Sequence, residues 1–534
     1  MSILLRILDR LEEILIATLM ALATLIIFVA VVHRYLLGVP FLFPILFPIN
    51  LSWAQELCIY MFVWVAKFGA AYGVRTGIHV GVDVVVNQLK SPWKNAIVMF
   101  GLLILLMLTG MPISIALGLT VLTFIYTMTN VPTESVALKL FTGIDNFEIM
   151  AIPFFILAGN FLTHGGVARR MIDFATSMVG HWYGGLGLAG VMACALFAAV
   201  SGSSPATVIA IGAIMLPAML KAGFPKRFGA GVITTSGALG ILIPPSIVMV
   251  IYCVATGGSI ALGPTGQRVS SASVGQMFMA GVIPGLMLAT LLGLTTFYRA
   301  WKNDYPRMPR ASWGERIAAF RKCMWGLLLI FIVLGGIYAG VFTPTEAAAI
   351  SAVYAFVIAV FVYRDMSLKD VPRVLLGSAN MSAMILYIIT NAVLFSFLMA
   401  NENIPQAIAN WITSIGVNWI IFLLIVNVLL LLAGNFMEPS SIVLIMAPIL
   451  FPVAVKLGIH PVHLGILMVV NMEVGMCHPP VGLNLYVASG IAKMGITELT
   501  IAVWPWLLTM LIFLGIVTYV PELSLWLPRM LGML

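Results

Sequence analysis

Charge is scarce in this chain. Only 9% of its 534 residues are Asp, Glu, Lys or Arg, while 62% are hydrophobic. A soluble domain of that length needs far more charge on its surface. Cysteine is scarce too: Cys58, Cys194, Cys253, Cys323 and Cys477 are scattered. None has metal-ligand spacing, so neither a disulfide framework nor a zinc site is indicated, and they read as small apolar residues, with Cys477 the exception because it lies in a broken apolar segment. There is no G-x-x-x-x-G-K-[ST] loop, so nothing supports ATP as a driver. Neither a G-x-S-x-G elbow nor an H-E-x-x-H pair is present, which leaves a hydrolase without its machinery. The formal net charge of +8 is not a nucleic-acid signature, because the basic residues fall in loops between apolar runs.

What is abundant is apolar sequence in runs of roughly 20 residues joined by short loops, the mark of an all-α polytopic membrane protein. The N-terminal MSILLRILDRLEE is amphipathic and leads into a run from Ile14 to Val32, long enough to remain as an anchor rather than a cleaved leader. Two spans are expected near 12–36 and 52–75, separated by the apolar loop PFLFPILFPIN. RTGIHVGVDVVVNQLKSPWK follows, too densely apolar for a water-facing loop, and reads as a helix lying along the interface. The character changes near Ala96, which sets a boundary between 1–95 and 96–534. Spans are then expected near 97–127 (interrupted at Gly110–Pro112), 148–163, 185–222, 228–257, 275–299, 323–341, 345–364, 374–400, 419–457, 463–492 and 502–520.

Two of these regions match. ALFAAVSGSSPATVIAIGAIMLPAM with TTSGALGILIPPSIVM in the first half parallels LLLLAGNFMEPSSIVLIMAPILFPVA with NMEVGMCHPPVGLNLY in the second. Pro217, Pro244 and Pro245 recur as Pro452, Pro479 and Pro480 at a constant offset of 235 residues, and Pro205 recurs as Pro439 one residue short of it. Three preserved spacings indicate a duplicated unit. Lys and Arg set its orientation. Arg299, Lys302, Arg307, Arg310, Arg316, Arg321 and Lys322 mark 299–322 as cytoplasmic. Counting spans puts Arg169, Arg170, Lys221, Lys226, Arg227, Arg364, Lys369 and Arg373 on that side too, whereas 401–418 has no Lys or Arg. The hairpin 185–222 thus enters from the cytoplasm and the hairpin 419–457 from outside, an inverted-topology repeat.

Backbone that breaks at membrane depth is tolerated where it lines a cavity. Broken helices offer free N–H groups to an anion and free carbonyls and hydroxyls to a bare Na⁺. For the cation the candidates in the first half are Ser201, Gly202, Ser203 and Ser204, with Thr235, Ser236, Gly237 and Gly240. In the second half they are Gly434, Met437, Glu438, Pro439 and Ser441, with Gly475, Cys477 and Gly482. For an anionic substrate they are Ser204, Pro205, Thr207, Pro244, Ser440, His478, Pro480 and Asn484. Two cation sites would flank one anion site. The competing reading is a set of proline kinks whose hydroxyls fold back onto the backbone. Na⁺ is the coupling ion expected, and no cofactor is.

SGSSPAT, SGALGILIPPS, FTPTEAAAIS, APILFPVAVKLGIHPVHLGI and PPVGLNLYVASGIA together resemble the large membrane subunit of tripartite ATP-independent periplasmic (TRAP) transporters, over about 97–534. SWAQELCIYMFVW and GIHVGVDVVV in 1–95 resemble the first half of the small subunit, with two spans where small subunits have four. The resemblance implies an elevator-type transporter in the bacterial inner membrane. In it a hairpin domain (185–222, 228–257, 419–457, 463–492) would slide against a scaffold formed by 1–95 and the spans of 275–364. It further implies Na⁺-driven import of an organic acid, with C4-dicarboxylates favoured over sialic acid. The acid would be delivered by a periplasmic binding protein, and a separate or more complete small subunit would be a further partner. A stand-alone sodium/divalent-anion symporter is the alternative.

Intramembrane charges are functional suspects. Glu473 either faces the site or a proton path, or pairs with a neighbour or a helix end. Glu438 either helps bind Na⁺ or is solvated in the cavity. Glu346, after FTPT, reads as a helix-cap partner. His478 either tunes the second cation site or substrate choice, or is structural.

Overall fold

The computed structural model describes residues 2–36, 51, 53–75, 93–129, 131–143, 145–257, 260–435, 437–479 and 482–534. The loop 40–50 and the expected interface helix over 75–94 fall almost entirely outside the described residues. The chain runs α1 (Ser2–Leu36), α2 (Trp53–Arg75), α3 (Trp93–Leu108), α4 (Ile113–Met128), α5 (Thr133–Thr142), α6 (Ala151–His164) and α7 (Val167–Val179). Next come α8 (Gly185–Ser201), α9 (Ser204–Lys221), α10 (Lys226–Gly237), α11 (Ile247–Thr256), a two-stranded ribbon β1 (Ile260–Leu262) and β2 (Arg268–Ser270), and α12 (Val274–Lys302). The second half holds α13 (Trp313–Ile330), α14 (Pro344–Val357), α15 (Val371–Asn401), α16 (Ile404–Ser414), α17 (Trp419–Gly434), α18 (Pro439–Lys456), α19 (Pro461–Gly475), α20 (Leu483–Ala492), α21 (Ile496–Tyr519) and α22 (Glu522–Met530). Among the described residues nine helices are long and apolar enough to cross a membrane.

The duplication carries through to the helices. α9 and α18 each hold 18 residues, and both their starts and their ends keep the 235-residue offset of the prolines. α8 and α9 form one hairpin, α17 and α18 the other. Each is followed by a helix broken at a Pro-Pro pair, α10/α11 and α19/α20.

The hairpins enter from opposite ends of the molecule. Phe224, at the base of the first, packs edge-on against Tyr305 just beyond the end of α12. Gly180, before α8, accepts from the backbone N–H of Met308 at 3.0 Å. The start of α12 lies at the other base: it follows the ribbon whose β1 packs on α18, and Gln276 donates to the Met533 carbonyl at 2.6 Å. With 29 residues, α12 separates the two bases by about 43 Å at 1.5 Å per residue. The broken helices cross between the same ends. Tyr252 near the end of α11 donates to the Pro461 carbonyl at the start of α19 (2.8 Å). Lys226 at the start of α10 donates to the Lys493 carbonyl after α20 (3.1 Å).

The cationic segments assigned to one side lie together. Arg170 pairs with Asp365 and stacks on Tyr363, Arg227 pairs with Glu498, and the Arg307 guanidinium covers Tyr183. Lys456 and Asn410 meet at the opposite base (2.8 Å).

Some boundaries differ from the sequence reading. The stretch 299–322 is not one loop: α13 begins at Trp313 with a capping box between Ser312 and Glu315. The stretch 401–418 holds the amphipathic α16. Amphipathic helices of this kind, α7, α16 and α22, carry too much polar surface to register as apolar runs. Of the expected scaffold, α14 packs on α6 and α1, but α12 packs on the hairpin side, against α8, α21 and α22. The fused N-terminal helices α1 and α2 pack on α14 and α15. There Arg34 pairs with Glu346, which also caps α14 through the expected box with Thr343.

Candidate functional site

Each hairpin turns over two to four residues. In the first, α8 ends at Ser201 and α9 begins at Ser204. Gly202 makes the turn at φ +60°, and a Cβ there would sit 2.7 Å from the Pro245 carbonyl oxygen. Only glycine suits both the left-handed backbone and that close approach. The break of α10/α11 therefore lies directly against the first tip. In the second half the equivalent contact is glycine on glycine. A Cβ on Gly434 would meet the Cα of Gly475 at 3.1 Å, and the reverse holds, so hairpin two seats on its own broken helix backbone to backbone.

Asn484 links the two halves. Its side-chain N–H donates to Ser204 Oγ at 2.7 Å, and Ser204 donates in turn to the Gly237 carbonyl at 3.1 Å. Its backbone N–H reaches across the second break to the Met476 carbonyl (3.0 Å). Cys477 lies beside it, with its thiol 3.5 Å from the Thr234 carbonyl. Ser204, Asn484 and Cys477 are fully buried, and Asn484 Oδ1 and Ser236 Oγ have no hydrogen-bond partner among the described residues. Burying such an oxygen unpaired is costly, and both are of the type a hard cation selects.

The other hydroxyls behave differently. Thr207 bonds to Ser201 Oγ at 2.9 Å and to the Ser203 carbonyl at 2.9 Å, and Thr235 folds back onto the Gly231 carbonyl. Ser440 and Ser441 both donate to Glu438, at 2.6 and 3.5 Å, so that carboxylate is held by its own helix start. Gly240 brings the first break within reach of the Ser203 carbonyl. Pro244 is joined to Pro245 by a cis peptide, and Gly482 opens α20 at φ +55°. Pro480 lies outside the described residues.

Both tips border one cavity of about 460 Å³. Ser201 to Ala206 form one wall, and Glu438, Pro439 and Ser440 another. None of the remaining candidates lines it; Met476, the neighbour of Gly475 and Cys477, and Leu483, the neighbour of Asn484, do. Thr207, Pro244, His478 and Asn484 do not border it. The facing walls come from α6 (Gly159, Asn160, Thr163) and α15 (Met381, Met384, Ile385). Sequence reasoning missed these walls. Asn160 was a detectable signal, a polar residue in the apolar run AIPFFILAGNFL, and it donates to Ser378 of α15 at 2.8 Å. Asn435 was also missed. Its amide lies 2.9 Å from His478 Nδ1, and with its NH₂ turned inward it donates there and to the Pro479 carbonyl.

Glu473 does not pair with a neighbour. Both carboxylate oxygens are buried without a hydrogen-bond partner among the described residues, and the residue does not line the cavity. The five cysteines are all buried and free.

Antiparallel re-entrant hairpins whose tips meet at one cavity in an all-α membrane bundle define an inverted-repeat transporter. The chain belongs to the tripartite ATP-independent periplasmic transporter family: residues 100–523 match its DctM component, and residues 23–158 match its DctQ component. Over 439 residues, 82% of this chain and 100% of the relative, it is 76% identical to the C4-dicarboxylate TRAP transporter large permease protein DctM of Rhodobacter capsulatus. The protein of the same description from Pseudomonas aeruginosa is 54% identical over 75% of this chain and 90% of its own length. The sialic acid TRAP transporter large permease protein SiaM of Vibrio cholerae is 34% identical over 80% and 96%. The chain is thus a multi-pass inner-membrane permease component and not an enzyme.

Proposed function

We propose that this chain imports C4-dicarboxylates, driven by Na⁺ and supplied by a periplasmic binding protein. The observation that carries the reading is the single cavity bordered by both hairpin tips and closed on its other side by α6 and α15. A substrate held between the tips touches both repeats, and the wall it must slide past belongs to different helices. High identity to two relatives named as C4-dicarboxylate permeases favours that substrate over sialic acid.

The two orphan oxygens, Asn484 Oδ1 and Ser236 Oγ, support Na⁺ sites built on the broken helices, with Ser201, Ser203, Ser204, Thr235 and the carbonyls of Gly202, Gly237 and Gly240 around the first. Gly434, Met437, Glu438, Pro439, Ser441, Gly475, Cys477 and Gly482 would serve the second. Pro205, Ser440, His478 and their neighbours would present helix N-termini to the carboxylates. The moving body holds α8–α12 and α17–α22, and the scaffold holds α1–α6, α14 and α15. A separate small subunit would complete the surface begun by α1 and α2.

The test is uptake of labelled succinate into proteoliposomes. Accumulation requires an inward Na⁺ gradient and a loaded binding protein outside. Uptake that persists at full rate without the binding protein would transfer the chain to the stand-alone symporter class. Uptake indifferent to Na⁺ would remove the cation sites.

A further inference from the structure

A second cavity, of about 800 Å³, adjoins the hairpin cavity. The two share Thr163 and His164 of α6, and adjacent residues of α9 line them, Ile209 the inner and Ala210 the outer. Its volume falls within the roughly 300–1,000 Å³ of ligand pockets. It lies among the cationic segments: Arg169, Arg170, Arg321 and Lys322 line it, against Asp173 and Asp365. Arg170 and Asp365 neutralise each other in an ion pair. Arg169, Arg321 and Lys322 form no ion pair with a described residue and are exposed. Burial raises the Asp173 carboxyl above its usual range, opposed by the pull of Lys322, Arg169 and Arg170. Beyond the Arg170–Asp365 pair the cavity wall thus carries three cations and one carboxylate, leaving two positive charges in excess.

We infer that this vestibule is a second binding site, of low affinity, for the organic dianion on its way out of the hairpin cavity. The inference rests on the dicarboxylate reading above. A positive-inside bias explains why these residues lie at this end, but not why they converge on the mouth of the one cavity the tips enclose. Two excess charges match a dianion, and a cleft with a net charge of one sign concentrates its counter-ion. An anionic lipid headgroup offers similar chemistry. The wall contributed by α9, part of the hairpin, and the continuity with the inner cavity favour the travelling substrate.

The test uses the full chain carrying Ile214→Cys, whose position lines the vestibule. All native cysteines are buried, so thiol labelling reports this position. At low ionic strength a negatively charged methanethiosulfonate reagent should react about tenfold faster than a positively charged one. Salt should erase the difference, as should Arg321→Gln with Lys322→Gln. Succinate, compared with chloride at equal ionic strength, should slow labelling by a neutral reagent at millimolar concentration. Asp173→Asn should improve that protection several-fold, a gain that a misfolded protein cannot mimic. Protection should persist when Ser204→Ala and Asn484→Ala disable the inner site, and should be the same in neutral and in anionic lipid. A preference unaffected by the two Gln substitutions, protection lost with the inner site, or blockage by anionic lipid alone would each overturn the inference. None of these readouts needs uptake, so a failure of the transport reading would be seen separately.

Discussion

Asn484 offers the sharpest test of the site. Asn484→Ala removes the 2.7 Å hydrogen bond to Ser204 and the orphan Oδ1, while the backbone bond to Met476 can persist. A buried hydrogen bond cut so that its partner is left unpaired costs about 1–3 kcal/mol. If that cost falls on the ion-bound state, the Na⁺ concentration for half-maximal succinate uptake rises about 5- to 150-fold, since 1.4 kcal/mol is about a factor of ten. Asn484→Asp keeps an oxygen and loses the donor, so its half-saturation should fall between wild type and Ala. Ser204→Ala should cost less, and the double variant should cost less than the sum, with a coupling of about 1–2 kcal/mol as expected for directly bonded partners. The assay is initial-rate uptake into proteoliposomes across a Na⁺ series at saturating binding protein. Unchanged Na⁺ half-saturation in Asn484→Ala, or strictly additive losses, would refute the bridge as part of the ion site.

Further outcomes follow from other contacts. Gly434→Ala or Gly475→Ala puts a methyl against backbone at 3.1 Å and should unseat hairpin two, abolishing uptake while the protein still purifies as folded helix by circular dichroism. Ser203→Ala should raise the Na⁺ requirement more than it alters substrate choice. Ser441→Ala should do the same, and wild-type Na⁺ dependence in both would make these hydroxyls structural. Glu346→Ala removes the α14 cap and the partner of Arg34 and should lower stability by about 1–3 kcal/mol, read as a fall in thermal midpoint in detergent. Cysteines placed at Ser204 and Ser440, which line the same cavity, should label from one and the same face in a locked state. Reactivity of the two from opposite faces would contradict a cavity shared by both tips.

The fold is legible where the sequence repeats itself. The paired prolines mark both hairpins and both breaks to within a few residues, because a long apolar run interrupted by Gly, Ser and Pro cannot continue as one straight helix. Charge marks the common side of the basic segments. What the sequence hides is lateral. In the run from Ile156 to Thr163 only Asn160 hints that α6 forms the opposite wall of the cavity, since facing between helices depends on packing and not on period. Asn484 stands out by its place after the Pro-Pro break, but its bond to a serine 280 residues away has no signature in one chain. Thr207 and Thr235 stand out as hydroxyls near a tip. Both donate their hydrogens to carbonyls near the start of, or within, their own helices, which leaves oxygen lone pairs free to face a ligand. α12 reads as scaffold from the family resemblance and from the cationic segment that follows it, yet neither carries information about which neighbour a helix keeps.

That long helix has a mechanical meaning. The first hairpin packs along it, and the base of the second packs on the ribbon that leads into its start, at ends about 43 Å apart; about a quarter of the way along it touches the first break, where a Cβ on Gly281 would meet the Leu242 carbonyl at 2.7 Å. In the elevator motion proposed above, a brace of this length would tie the first hairpin to the ribbon that carries the second, so that the body travels as a piece and its rim passes through headgroups on one face or the other. Membrane thickness would then enter the rate law: a bilayer a few ångströms thicker or thinner would change the cost of one end of the stroke relative to the other. On that motion, lipid chain length would act on transport independently of the residues of the binding site.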